Sequence, residues 1–327
     1  AQYADVVVLA RELNMEQVAS IYRDIQEQDI RGPKGELIRI EMFCHGALCM
    51  AISGKCYLSL NELGASANRG ACMQVCRRGY IVHDKESDIE LAVENQYIMS
   101  PKDLKTIRFM DRMIEAGVRV FKIEGRARGP EYVKTVAECY SEAIDACLEG
   151  NFTDEKKDNW DARLATVFNR GFWDGYYLGQ RLGEWNEKYG SQATEVKVYV
   201  GKCTDYFSKI GVGEFLIEAA AISQGNKLLI TGNTTGALTF ELDDPRVDLK
   251  SVTEGFIEEM SKVLSENKSL INNSNKIYHY FSSLVNILCF SLSNFSKMPL
   301  KPGIRSKPTT NTSAIATNAS STLLVLL

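Results

Sequence analysis

The chain has 327 residues, 45% hydrophobic and 24% charged, enough to bury an ordinary core in one large and one small domain. Its net charge of -4 excludes a bulk electrostatic argument for nucleic-acid binding, although a local basic lip around one cleft is invisible in such a total. Nine cysteines, odd in number and clustered toward one end, favour thiols serving a metal over a disulfide framework; with no basic-then-apolar leader and no spanning apolar run, the expected setting is the cytoplasm, away from membrane.

Ala4 to Ala10 is an apolar run of strand length, and Asn14 to Gln28 follows with helical spacing at Val18, Ile21, Tyr22 and Ile25, so the chain opens on a strand–helix unit. Leu37 to Phe43 is a second strand leading into a cysteine-rich stretch, Glu41 to Arg78. Tyr97 to Met99 predicts a short third strand. Ser100-Pro101-Lys102-Asp103 reads as a helix start, with a capping hydroxyl, a proline at the first helical position and an acid in the first turn. Val118 to Ile123 predicts a fourth strand, and Gly129-Pro130 opens a helix to about Glu149.

These units predict an α/β fold: a partial (β/α) TIM-like barrel lacking its N-terminal units, spanning residues 1–150 and carrying a cysteine-rich insertion. Asn151 to Asn159 reads as a polar connector, and residues 151–192 as a helical and aromatic extension. Residues 193–250 hold short strand candidates, Glu195 to Tyr199, Gly213 to Ala219, Lys227 to Ile230 and Leu238 to Leu242, joined by glycine turns as in a small antiparallel β-barrel. A helix is expected over 251–270. Residues 271–327, rich in Ser, Thr and Asn and without an acidic residue, read as a disordered tail foreign to the fold.

Four cysteines, Cys49, Cys56, Cys72 and Cys76, form the pairs C-x6-C and C-x3-C, with Gly46, Gly54, Gly64 and Gly70 giving the stretch freedom to turn. Three readings stand open for them: a [4Fe–4S] cluster, for which soft thiolates suit; a structural zinc, which more often uses tighter knuckles; and buried small side chains. Cys44 ends the second strand and either replaces one of these ligands or faces the core, whereas His45 sits at the loop position where acid–base groups are found in parallel α/β folds, as a catalytic group or a satisfied loop residue. Glu41, inside an otherwise apolar strand, is either paired with a base or turned to solvent. Strand alternation places Lys122, Glu124 and Arg126 on one side, as a receptor for a carboxylate or phosphate or as a structural ion-pair network. Arg69, Arg77 and Arg78 extend either case, while Asn169 and Arg170 sit in a loop that offers polar groups or packs. No serine elbow, HExxH helix, P-loop or dinucleotide fingerprint occurs.

Glu41-x-Phe43-x-x-Gly46-Ala47-Leu48-Cys49-x4-Gly54-x-Cys56-x-Leu58-Ser59 resembles the signature of the peptidase U32 family, the collagenase-like proteases. Ala67-Asn68-Arg69-Gly70-x-Cys72-x-Gln74-x-Cys76-Arg77, Phe121 to Arg126 and Asn169-Arg170-Gly171-Phe172 extend the likeness over roughly residues 1 to 192. The small domain, with Thr231-Gly232-x-Thr234-Thr235-Gly236, is similar to the barrel of the branch that makes 5-hydroxyuridine in tRNA from prephenate. The resemblance implies oxygen-independent tRNA hydroxylation, with a [4Fe–4S] cluster on Cys49, Cys56, Cys72 and Cys76. Under that reading, residue type and strand position assign a prephenate-like co-substrate to Lys122 and Arg126, proton transfer to His45 or Glu41, further catalytic roles to Lys122 and Glu124, and substrate contacts to Arg69, Arg77, Asn169 and Arg170. A U32-type peptidase and a zinc-stabilised, non-catalytic RNA-binding protein are the alternatives. The expected partner is tRNA or another structured RNA, with self-association through the open barrel.

Overall fold

The chain begins with a short strand, β1 (Val6–Val8), whose apolar run passes through a loop into helix α1 (Met15–Glu27). The side chain of Asn14 accepts from the Gln17 backbone and the Gln17 side chain accepts from the Asn14 backbone, a reciprocal cap that stabilises the helix start by about 1 kcal/mol. The computed structural model describes residues 3–93 except 70, 71 and 73; 100–243 except 126, 127, 187, 189, 208, 210 and 234; 245–247; 250–251; and the strands at 287–291 and 322–326. It divides into two units, residues 1–194 and 195–327.

In the first unit α1 is followed by β2 (Arg39–Gly46), α2 (Tyr57–Leu63), β3 (Tyr80–His83), β4 (Glu90–Val93), β5 (Asp103–Lys105), α3 (Met110–Glu115), β6 (Val118–Glu124), α4 (Pro130–Leu148), α5 (Asp154–Thr166) and β7 (Phe172–Trp173). The central strand β2 is parallel to β1 on one side and to β6 on the other. Its last two residues also pair antiparallel with β5, which in turn runs parallel to β7. β3 and β4 form a separate hairpin. The unit is thus mixed α/β, with a parallel centre and an antiparallel addition.

Alternation along β2 sends Ile40, Met42 and Cys44 into a core shared with Val18 and Ile25 of α1, Met110 and Met113 of α3, and Val136, Cys139 and Ala143 of α4. Pairing with β6 then slips by one residue between Phe43 and His45. Such an irregularity reverses which face the following side chain takes. Gly46 closes the strand at φ +109°, where a Cβ would meet the backbone carbonyl of Glu124, so the close approach of β2 to β6 requires glycine.

Several expectations are corrected. Asp103 does not sit in the first turn of a helix; it starts β5, and the helix begins at Met110 after a short 3-10 turn at Ile107–Phe109. The Ser100 hydroxyl meets Arg77, while the Lys102 and Asp103 amides donate to the carbonyls of Glu184 and Gly171, so tertiary partners take up the groups a helix would use. The supposed connector at 151–159 mostly belongs to α5, capped by Thr153 with Asp154 and Glu155 in its first turn. Trp160 and Leu164 bury the inner face of that helix. The predicted strand at 97–99 and helix over 251–270 lie outside the described residues, save that Ser251 ends a short strand.

The second unit is an antiparallel sheet built from β8 (Lys197–Phe207), β9 (Val212–Ile217), β10 (Lys227–Gly232), β11 (Gly236–Glu241), β12 (Arg246–Val247), β13 (Lys250–Ser251), β14 (Ile287–Ser291) and β15 (Thr322–Leu326). Its order is β11-β10-β15-β8-β9-β14-β12-β13, an open path with no closing pair among the described residues, where a small barrel was expected. β14 lies between β9 and β12, and β15 between β10 and β8, although residues 271–327 read as a tail in the sequence. Val200, Phe215, Leu228 and Ile230 centre the core of this sheet.

Candidate functional site

The loop from Ala47 to Cys56, helix α2 and the turn before β3 surround a cavity of about 380 Å³. Cys49, Cys56, Cys72 and Cys76 all line it, and so do Arg11, Phe43, Gln74, Arg77, Lys122 and Glu124. Burial pushes the Cys76 thiol up, the neighbouring Arg77 charge opposes that, and the Cys49, Cys72 and Cys56 sulfurs add to the upward shift. The four sulfurs therefore share one electrostatic neighbourhood. Among the described residues no group of three or more His, Cys, Asp or Glu side chains is placed to hold a single metal ion.

Two arginines frame this cavity. From the loop after β1, Arg11 donates through Nη2 to Cys49 Sγ at 3.0 Å and through Nη1 to the Ala47 carbonyl at 3.2 Å, with its guanidinium 4.6 Å from the Phe43 ring centre. Arg77 donates to the Leu48 carbonyl at 2.9 Å, the Pro101 carbonyl at 2.6 Å and the Ser100 hydroxyl at 2.7 Å, tying both flanks of the cysteine stretch to the segment that leads into β5. Cys56 donates to the Ser59 hydroxyl at 3.3 Å.

Behind Arg77 lies a buried ionic group. Asp103, 1% exposed, is held by Arg128 at 3.0 Å and Arg170 at 3.5 Å. Arg170 also donates to Gln74 at 3.2 Å, and Arg128 lies 4.0 Å from the Phe168 ring centre. Two cations against one carboxylate leave net positive charge beside the thiol-lined cavity, which favours an anionic occupant.

Sequence reasoning placed Lys122 and Glu124 on one side, and both line the cavity; Arg126 lies outside the described residues. Lys122 pairs with Glu41 at 2.8 Å, so Glu41 takes the paired alternative of the two foreseen for it. His45 is 1% exposed and stands apart from the residues lining the cavity, packed among Tyr132, Tyr140 and Phe172 with Nδ1 3.3 Å from the Tyr140 hydroxyl. Burial first, then Lys105 and Arg128, lower its pKa to about 3, so it is neutral at physiological pH. The register slip after Phe43 turns this side chain away from the face that Phe43 shares with Lys122.

Cys44 is fully buried, with Sγ 3.5 Å from the Lys122 carbonyl, and burial pushes its thiol far up. Asn169 is buried as a turn-former: its amide donates to the Val167 carbonyl at 3.0 Å and its carbonyl accepts from the Gly171 amide at 3.0 Å. Arg69 is exposed in the short helical turn before Cys72. The sequence reading missed Arg11, Gln74, Arg128 and the buried role of Asp103. Arg11 carried a usable signal, since it directly follows a strand whose C-terminal loop is where such folds put their chemistry.

The profile of peptidase family U32 matches residues 1–187. The chain belongs to peptidase family U32. It is 58% identical over 280 residues to a protein named collagenase from Porphyromonas gingivalis, covering 86% of this chain and 67% of that one. It is 36% identical over 196 residues to tRNA hydroxylation protein P1 of Bacillus subtilis, covering 56% and 43% of the two chains. Over 184 residues it is 41% identical to the 23S rRNA 5-hydroxycytidine C2501 synthase of Escherichia coli, covering 54% and 26%. No solved structure matches. Among the described residues no helix is long and apolar enough to cross a membrane.

Proposed function

We propose that this U32 chain is an RNA-modifying enzyme that holds a [4Fe–4S] cluster on Cys49, Cys56, Cys72 and Cys76 and serves oxygen-independent hydroxylation of a tRNA uridine to 5-hydroxyuridine. The observation that carries the reading is the arrangement of those four thiols around one cavity of about 380 Å³. The donor set is entirely soft sulfur, and Arg11 and Arg77 supply positive charge against four thiolates. A single ion draws its ligands to about 2.3 Å of one point, whereas a cluster offers a separate iron to each cysteine and suits a wider ring of sulfurs. Once bound, such a cluster supplies electron transfer.

The remaining roles fall to the chain's own side chains. Lys122, which lines the cavity, is assigned the carboxylate of a prephenate-like co-substrate, a role for which residue type also nominates Arg126, and exposed Arg69 is assigned RNA phosphate. Glu41 holds Lys122 in place, and Glu124 at the rim is the candidate proton carrier. The parallel set β1-β2-β6 is read as a segment of a (β/α) barrel whose strand-end loops carry the site.

Anaerobic purification with iron, sulfide and zinc analysis is the first test, about four irons per chain being expected. Mass spectrometry of tRNA from cells lacking the gene is the second. Unchanged 5-hydroxyuridine-type nucleosides would sink the assignment to tRNA.

A peptidase is the second reading, favoured by the name of the 58% identical relative. Cys44 is a poor nucleophile for it, being buried with a raised pKa, and neighbouring His45 is engaged with Tyr140 instead. Peptide release from gelatin by highly purified protein, lost in a variant of a residue lining the cavity, would establish this reading in place of the first.

A further inference from the structure

The four cysteines are not alike in their surroundings. Cys49 is exposed, whereas Cys56, Cys72 and Cys76 are half-buried. An exposed ligand sulfur is the one whose charge water would otherwise solvate. Here a guanidinium takes that place: Arg11 Nη2 lies 3.0 Å from Cys49 Sγ. Its position is fixed at two further points, the Ala47 carbonyl and the face of Phe43, so the contact does not depend on a freely rotating side chain.

The neighbouring groups do different work. Arg77 directs its bonds to the Leu48 and Pro101 carbonyls and the Ser100 hydroxyl, which positions the loop. Ser59 meets Cys56 as a neutral partner. Arg11 is therefore the cation that hydrogen-bonds directly to one of the four sulfurs among the described residues. Hydrogen bonds to sulfur and local charge are two of the means by which a protein sets the reduction potential of a thiolate-bound cluster. Charge-assisted bonds are also stronger than neutral ones.

Resting on the cluster reading above, we propose that Arg11 is a positioning residue that sets the reduction potential of the site through Cys49. Uptake of one electron from a chemical reductant adds one negative charge to the thiolate-bound group, and the fixed guanidinium stabilises that added charge. Arg11 thereby favours the reduced form, and it couples the loop after β1 to the redox state of the cysteine stretch.

The test is a dithionite titration of reconstituted full-length protein, followed by electron paramagnetic resonance, for the wild type, Arg11→Gln and Arg11→Lys. Iron and sulfide are counted and circular dichroism recorded on each sample. Arg11→Gln removes the charge and is expected to make reduction roughly tenfold less favourable, a potential lower by about 59 mV for a one-electron couple. Arg11→Lys keeps the charge and is expected to recover more than half of that shift. A potential unchanged in Arg11→Gln at full iron content overturns the proposal and leaves the cluster reading standing. Loss of iron from folded Arg11→Gln also overturns it, because Arg11 would then retain the group instead of tuning it. A wild type that takes up no iron overturns the cluster reading itself.

Discussion

Replacing Asp103 with Asn tests whether the buried ionic group beside the cavity is a connected unit. Asp103 is 1% exposed, and its partners Arg128 and Arg170 have side chains 6% and 13% exposed, so water screens little of the interaction. At 3.0 and 3.5 Å and an effective dielectric constant of about 20, each pair carries roughly 5 kcal/mol of gross attraction, most of it offset by desolvation. Asn preserves the shape but leaves two guanidiniums facing each other, and removing one partner from such a buried group costs about 3–5 kcal/mol. The three tryptophans, Trp160, Trp173 and Trp185, all belong to the first unit, so urea unfolding followed by their fluorescence reports on that unit. The double variant Asp103→Asn, Arg170→Gln is expected to recover part of the loss, since it removes one of the unpaired cations. A cost below about 1 kcal/mol for Asp103→Asn would refute this account.

Three further outcomes are expected. The neutral, buried His45 has a folded pKa of about 3, below its unfolded value, so its contribution to stability is present above about pH 6.5 and is lost as pH falls toward 3. Between pH 6.5 and 5 the wild type should lose about 1.6 kcal/mol from this group, and urea midpoints of His45→Gln should lack that slope. Gly46→Ala forces a side chain into a left-handed backbone position and against the Glu124 carbonyl; a loss of about 1–3 kcal/mol is expected, read as a lower thermal midpoint. Cys44→Ser places a hydroxyl in the buried core, lowering stability while leaving the cavity's four thiols in place, whereas on the cluster reading Ser at Cys49, Cys56, Cys72 or Cys76 should lower bound iron after anaerobic reconstitution.

Much of this architecture is legible in the sequence where local chemistry and tertiary structure agree. The apolar spacing at Val18, Ile21, Tyr22 and Ile25 and the Gly129-Pro130 start mark α1 and α4 because these signals are local to each helix. The cysteine stretch is equally legible, since the glycines beside it permit a loop and its four spaced thiols line one cavity. Legibility ends where distant backbone decides. Ser100 to Asp103 has the residues of a helix start, yet its polar groups are taken by Arg77, Glu184 and Gly171, all remote in the chain. Alternation also groups His45 with Glu41 and Phe43, but a slip in pairing with β6 intervenes, and no residue in the stretch announces it. Arg128 was missed for a related reason, because β6 ends at Glu124 and with it the alternation that grouped Lys122 and Glu124.

The three anchors of Arg77 bear on the order in which the site is made. They join the carbonyl preceding Cys49 to the segment at Ser100 and Pro101 through a residue adjacent to Cys76, using protein atoms throughout. Small zinc domains obtain their folding energy from the ion; here the polypeptide can draw the outer cysteines of the set together by itself. On the cluster reading, chelation would therefore leave a shaped receptacle ready for reloading, and maturation would be insertion into a finished scaffold.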